Sequence, residues 1–279
     1  MKIRIIYFSG TGNTTFITDK LMAALRDKAG DIRAIPVEEA ISRIDALETG
    51  AETILGVAYP VYDLSAPEII DRFIELLPIS RAPVPVFIYS TQALIRLDCN
   101  AVTSKKLREK NYLTIAKEGF KLPSNGLSFY GDAGHVAYRY ATRFEYSTDI
   151  KIVKFSNRII RQYARFRNKP FSLNPYTFRA VNVVRGYSLR LVGEKLYRNL
   201  QVDTRCVRCG ICSALCPEKN IVITREGVML KEDNHCLRCL RCVYSCPSKS
   251  INFTSSARSG NYTSAIRQQR YVQSIIKTN

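Results

Sequence analysis

The chain of 279 residues reads as an α/β protein: a doubly wound, five-stranded parallel sheet followed by a small α+β unit organised by cysteine. Two observations predict this. Five apolar runs alternate with helix-like segments from the N-terminus to about residue 120, the rhythm of strand–helix–strand units. Eight of the nine cysteines then fall into two tandem runs between residues 206 and 246.

Residues 2–8 are an apolar run that breaks at Ser9-Gly10-Thr11-Gly12, and Leu21, Ala24 and Leu25 recur at helical spacing behind it. Ile32–Val37 is the second predicted strand and Thr53–Tyr59, wholly apolar but for its first residue and the tyrosine hydroxyl, the third. Pro67 opens a helix through Phe73, as proline suits a first helical turn. Val84–Tyr89, a helix over 101–110 and a strand over Tyr112–Phe120 complete the pattern. From 148 to 166 a basic amphipathic helix is expected, with Lys151, Lys154, Arg158, Arg161 and Arg165 on one stripe and Ile152, Ile159, Tyr163 and Phe166 on another face. The expected division is 1–166 for the sheet domain, 167–200 for a basic connecting segment carrying Pro170 and Pro175, 201–255 for the cysteine unit, and 256–279 for a Ser-rich basic tail.

The net charge of +18 is unevenly spread. Residues 1–125 are nearly balanced, with 16 basic and 15 acidic side chains, whereas 126–200 carry 14 and 4. Three readings of that basic stretch stand: a solvated face, a dock for an acidic redox protein, or a segment lying on an anionic membrane or in a larger complex. No nucleic-acid-binding module is recognisable, so nucleic acid is not an expected partner. The first residues, Met1-Lys2-Ile3-Arg4-Ile5-Ile6-Tyr7, mix charge into the apolar run and lack a cleavage site, and no apolar stretch is long enough to span a bilayer. A cytoplasmic location is therefore expected, where thiols stay reduced and patterned cysteines point to metal.

The two cysteine runs are copies. Shifting the chain by 30 residues lays Cys206, Cys209, Cys212, Cys216 and Pro217 on Cys236, Cys239, Cys242, Cys246 and Pro247. Soft thiolates with two-residue gaps can reach three corners of one iron–sulfur cubane, and a fourth cysteine before proline leads away from it. Structural zinc, usually held by paired Cys-x-x-Cys knuckles, and disulfides are the competing readings. The segment resembles bacterial-type 2[4Fe–4S] ferredoxins over about 200–255, although its net charge of +3 departs from the acidic character common there. The resemblance implies two clusters with crossed fourth ligands: Cys206, Cys209, Cys212 and Cys246 on one, and Cys236, Cys239, Cys242 and Cys216 on the other. Gly210 would give the tight turn beside its cluster. Cys99 is left over and reads as a small buried apolar residue. His235 precedes a ligand cysteine but is given no role.

Ser9-Gly10-Thr11-Gly12-Asn13-Thr14 joins a first strand to a first helix, where hydroxyls, glycines and helix-terminal N–H groups suit a phosphate monoester. It lacks the lysine of a nucleoside-triphosphate loop and the glycine spacing of dinucleotide folds. The loop matches the Thr/Ser-x-Thr-Gly-x-Thr pattern of flavodoxins, and the region resembles that family over about 1–165. The resemblance implies FMN, with the flavin ring held by two further loops: Tyr59-Pro60-Val61-Tyr62-Asp63, where Tyr62 or Tyr59 would stack on it in the absence of any tryptophan, and Ser90-Thr91-Gln92-Ala93. His135 follows the fifth strand and could face the flavin, though an ordinary surface histidine is the plainer reading.

Joined, the halves look like the flavodoxin–ferredoxin fusion proteins of anaerobic bacteria. Such a protein is expected to pass electrons between two [4Fe–4S] clusters and FMN. The alternative is a ferredoxin-linked flavin oxidoreductase that reduces a small molecule at the flavin, over a pocket drawn from 126–145. No catalytic side-chain constellation decides between them, so enzyme activity is left open.

Overall fold

The computed structural model describes residues 1–50, 52–62, 65–92, 99–122, 146–169, 171, 201–225, 227–231 and 235–252. Five strands form one parallel sheet: β1 (Lys2–Tyr7), β2 (Asp31–Pro36), β3 (Thr53–Pro60), β4 (Val84–Gln92) and β5 (Tyr112–Lys121). Their order is β2-β1-β3-β4-β5, the flavodoxin-like doubly wound order. Around the sheet lie α1 (Asn13–Leu25), α2 (Val37–Ser42), α3 (Glu68–Leu76), α4 (Cys99–Glu109) and α5 (Tyr146–Asn168). β4 is buried along all nine of its residues and β3 along all but its last, as central strands covered on both faces must be.

Two of the sequence-based boundaries move for local reasons. Val37 is not the end of β2 but the first residue of α2: Pro36 ends the strand, and Glu38 and Glu39 fill the helix's first turn, where acidic side chains meet the positive end of the helix dipole. Pro67 sits just outside α3 as its cap, its carbonyl accepting from the Ile70 N–H at 2.9 Å.

Each face of the sheet has its own core. One gathers Val57, Tyr59, Ile70, Phe73, Ile88 and Cys99 under α2, α3 and α4. Cys99, 2% exposed, is the buried small side chain that was expected. The other gathers Ile5, Ile17, Leu21, Tyr89, Phe120 and the inner face of α5. The amphipathic reading of α5 holds: Ile152, Ile159, Tyr163 and Phe166 are buried, together with Phe155 on the same stripe.

The basic stripe of α5 divides in two. Lys154, Arg161 and Arg165 are exposed, whereas Lys151 and Arg158 reach Glu118 of β5 at 3.0 and 2.6 Å. Arg158 also donates to the Lys117 carbonyl at 2.8 Å. Burial alone would raise the Glu118 carboxyl; the Gly119 N–H, Arg158 and Lys151 outweigh it and hold the group below its ordinary 4.5. A depressed carboxylate contributes stability that is present above its unfolded-state pKa and lost as pH falls through the folded-state value. Melting temperature should therefore drop as pH is lowered below 4.5, and Glu118→Gln should flatten that part of the profile. Thermal melts followed by circular dichroism across this range check it; a variant as acid-sensitive as the wild type would refute the assignment.

The cysteine unit is small. β6 (Gln201–Val202) pairs antiparallel with β9 (Ile251–Asn252), and β7 (Ile221–Ile223) with β8 (Val228–Leu230); α6 (Ile211–Leu215) and α7 (Arg241–Ser245) are one-turn helices. The duplication is visible in the backbone. Arg208 and Arg238, Gly210 and Leu240, and Lys219 and Lys249 are pairs 30 apart, and all six have positive φ. Left-handed turns cost about 1–2 kcal/mol each for residues with a Cβ, so their repetition at matched positions marks a loop shape that the sulfurs require. Gly210 adopts φ +82° as anticipated, whereas its counterpart Leu240 holds the same turn at φ 60° without glycine's freedom. No helix among the described residues is long and apolar enough to cross a membrane.

Candidate functional site

The eight patterned cysteines ring two cavities. One is lined by Cys206, Cys209, Cys212 and Cys246, the other by Cys216, Cys236, Cys239 and Cys242. The fourth cysteine of each run thus lines the other run's cavity. Among the described residues no three His, Cys, Asp or Glu side chains gather as they would on a single metal ion; each quartet surrounds a space instead. The sulfurs are also supplied with donors. Asn220 N–H points to Cys216 at 3.3 Å and Arg238 N–H to Cys236 at 3.4 Å. Ser250, the repeat partner of Asn220, gives its N–H to Cys246 at 3.4 Å.

The two cavities differ in environment. Burial raises the Cys239 thiol to about 11 and pushes Cys242 well above its ordinary value. At Cys246 burial also raises the thiol, but the hydroxyls and N–H groups of Ser248 and Ser250 overcome it and the net shift is downward. Cys209 is exposed and its neighbour Val207 is 68% exposed. The second-run cavity, whose Cys239 is buried against the sheet domain, is the inner of the two, and the first-run cavity, whose Cys209 is exposed, the outer.

The Ser9–Thr14 loop sits at the C-terminal ends of β1, β3 and β4, where open α/β sheets bind ligands. Gly12 takes φ 90° and ends the loop as the N-cap of α1. Ser9 Oγ accepts from the N–H of Gly12 at 3.1 Å and of Thr15 at 3.4 Å; a hydroxyl accepting two bonds still has its own O–H to give. Thr14 Oγ1 lies 2.9 Å from Thr91 Oγ1, which ties the loop to the end of β4. Gly12's left-handed turn, the buried hydroxyls and the first-turn amides of a 13-residue helix are the donor set that a phosphate monoester needs. FMN fits these residues: Ser9, Gly10, Thr11, Gly12, Asn13 and Thr14 would hold its phosphate, and the bound flavin would supply one- and two-electron chemistry.

The ring-binding expectations are partly corrected. Tyr59 is fully buried, and its hydroxyl is fixed 2.8 Å from both Asn100 Oδ1 and Thr103 Oγ1, so its ring belongs to the core and cannot stack on a flavin. Tyr62 remains, half-buried, its ring edge-on to Phe8 with centroids 6.4 Å apart. Pro60 and Val61 end β3 and start the loop, and the Val61 N–H donates to the Thr91 carbonyl at 2.9 Å. Ser90, Thr91 and Gln92 are not a loop but the last residues of β4. Strand alternation turns Thr91 toward Thr14, whereas Ser90 and Gln92 turn the other way, with the Ser90 hydroxyl 3.8 Å from the Cys99 thiol and 3.5 Å from Gln92 Oε1. Asp63, Ala93, His135, the 126–145 pocket, residues 172–200 of the basic segment and the 256–279 tail lie outside the described residues. His235 is exposed.

The cysteine unit packs directly on the loop, which the sequence had not foretold. A Cβ built on Gly10 would lie 2.3 Å from Tyr62 Oη and 2.4 Å from the carbonyl oxygen of Cys239; only glycine permits so close an approach. Cys239 and Leu237 pack into the sheet domain's core. Arg72 of α3 forms a two-pronged bond to Glu218, both contacts at 3.0 Å. Arg241, 4% exposed, donates to the Ser9 carbonyl at 2.8 Å and the Leu215 carbonyl at 3.1 Å. The same guanidinium pairs with Glu38 at 2.8 Å and lies 5.3 Å from the centre of the Phe8 ring. A signal for it existed in the repeat: Arg241 occupies the position held by Ile211 in the first run.

Residues 205–259 match the family model described as the 4Fe-4S dicluster domain. Among solved structures, the two-electron reduced flavodoxin of Megasphaera elsdenii is 14% identical, covering 50% of this chain and 98% of that one, with a TM-score of 0.38. Rubredoxin oxygen:oxidoreductase from the anaerobe Desulfovibrio gigas is 12% identical, with 59% of this chain and 36% of that one covered and a TM-score of 0.38. A flavone reductase is 10% identical, with 62% and 66% covered and a TM-score of 0.44. No curated protein matches the chain. Strand order, the Ser9–Thr14 loop and the dicluster match together make this chain a flavodoxin-like domain joined to a ferredoxin-type 4Fe–4S segment.

Proposed function

We propose that the protein transfers electrons between FMN held at the Ser9–Thr14 loop and two [4Fe–4S] clusters, one in each cysteine-lined cavity. The observation that carries this reading is the contact of Gly10 with Cys239, which brings a ligand of one cavity against the flavin loop. Electron transfer needs its centres close, and Cys239 both lines the inner cavity and touches the flavin loop. The cluster of Cys216, Cys236, Cys239 and Cys242 is then the inner relay. The cluster of Cys206, Cys209, Cys212 and Cys246, beside exposed Val207 and Cys209, is the point of exchange with an outside redox protein, for which the basic surroundings favour an acidic partner.

Anaerobic reconstitution followed by iron, sulfide and flavin assay tests the reading. Two cubanes and one FMN per chain are expected, with reduction of the clusters accompanying reduction of the flavin. Full iron with substoichiometric flavin would remove the flavin half. A preparation that stays colourless, with no EPR signal after dithionite, would remove the clusters.

A further inference from the structure

Arg241 is placed where neither cofactor site alone would require a cation. It lies between Leu240 and Cys242 in the second cysteine run and lines the inner cavity, yet its guanidinium reaches out of that unit. One terminal nitrogen donates to the Ser9 carbonyl, at the first residue of the flavin loop, and the other to the Leu215 carbonyl, next to ligand Cys216. Glu38 of α2 and the Phe8 ring fix its remaining sides. A buried arginine with this many partners is tightly specified, because losing any of them leaves charge uncompensated. In the first run the equivalent residue, Ile211, is apolar and lines its own run's cavity. The difference between the copies is thus a difference of function.

We propose that Arg241 couples the two sites: it fixes the Ser9 end of the flavin loop only when the second cysteine run is closed around its cluster, so that each cofactor tightens the binding of the other. This rests on the reading of the two sites given above. The physical basis is simple. The carbonyl of Ser9 is held by Arg241, which fixes the first peptide plane of the loop that would receive the phosphate. If the cysteine run opens, Arg241 leaves with it. Coupling between binding sites is reciprocal by thermodynamic necessity, so FMN must in turn favour the closed run.

The test is a fluorescence titration of flavin-free, cluster-loaded protein with FMN and, separately, with riboflavin, comparing the wild type with Arg241→Gln and Glu38→Gln. Arg241→Gln with full iron is expected to bind FMN about tenfold more weakly. Because Arg241 holds Ser9, a residue of the loop that would bind the phosphate and not the ring, the FMN-to-riboflavin affinity ratio should fall as well; a merely structural role would weaken both ligands alike. Glu38→Gln, which loosens the guanidinium without removing it, should lie between. In the reverse direction, FMN should slow the loss of iron to a chelator in the wild type and not in Arg241→Gln. Equal FMN affinity and an unchanged ratio in the iron-replete variant would overturn the coupling alone. Failure of the wild type to bind FMN would overturn the flavin reading and the coupling together.

Discussion

Cys216→Ala is expected to remove the inner cluster and to leave the outer one intact, although Cys216 belongs by sequence to the outer cluster's run. The reason is the crossing of the fourth ligands: Cys216 lines the cavity of Cys236, Cys239 and Cys242, whereas Cys246 lines that of Cys206, Cys209 and Cys212. A cubane deprived of one of four thiolates loses an iron corner and becomes labile. Iron and sulfide should fall to about half in either variant, so the amount of metal lost cannot tell them apart. What separates them is the consequence. Cys216→Ala interrupts the path beside Gly10 and should abolish electron exchange between flavin and outside acceptors that enter through the clusters. Cys246→Ala keeps the inner cluster, so flavin and cluster should still equilibrate within the molecule while exchange with a partner protein stops. Stopped-flow absorbance of the two variants reads both steps. If Cys216→Ala instead kept a flavin-reducible cluster, the crossed assignment would be wrong, and with it the order of relay.

What was legible in the sequence was what repeats. The sheet could be read because buried parallel strands are near-continuous apolar runs, and all five were visible. The cysteine repeat could be read because its 30-residue period stands in the sequence itself, and the two cavities each gather four of its cysteines. What was not legible depended on partners far away along the chain. Tyr59 looks like a flavin-stacking aromatic at a strand end; its hydroxyl partners, Asn100 and Thr103, are 41 and 44 residues distant and turn it into a core residue. Ser90 and Gln92 fall in the second flavin loop that the flavodoxin resemblance implies, yet β4 runs through them and alternation decides which way they face. Arg241 is the sharpest case. One of five arginines in the cysteine-rich segment, it is marked out only by its contact with Ser9, 232 residues away. The repeat alone carried a hint, since a charge stood where the first copy has isoleucine.

Phe155→Ala is expected to be the most destabilising single substitution in the sheet domain, and it would act on function from a distance. Phe155 is 1% exposed and stands edge-on to three rings, Phe87, Tyr89 and Phe120, with centroids 6.0–6.2 Å away. Truncating a buried phenylalanine costs about 3–5 kcal/mol in transfer and cavity terms. Each lost edge-on pair adds about 0.5–1.5 kcal/mol beyond the area it buries. Ordinary domains hold only about 5–15 kcal/mol in total, so most of the margin would go. The aromatic group also supports Tyr89, whose hydroxyl lies 2.7 Å from Thr18 of α1, one turn beyond Thr14 of the flavin loop. Loosening the rings therefore frees the helix that presents the loop. A fall in melting temperature of about 10 °C or more, with FMN released before the clusters are lost on heating, is the expected result. Loss of cluster absorbance before flavin release would show instead that the cysteine unit, and not the helix behind the loop, is the weaker support.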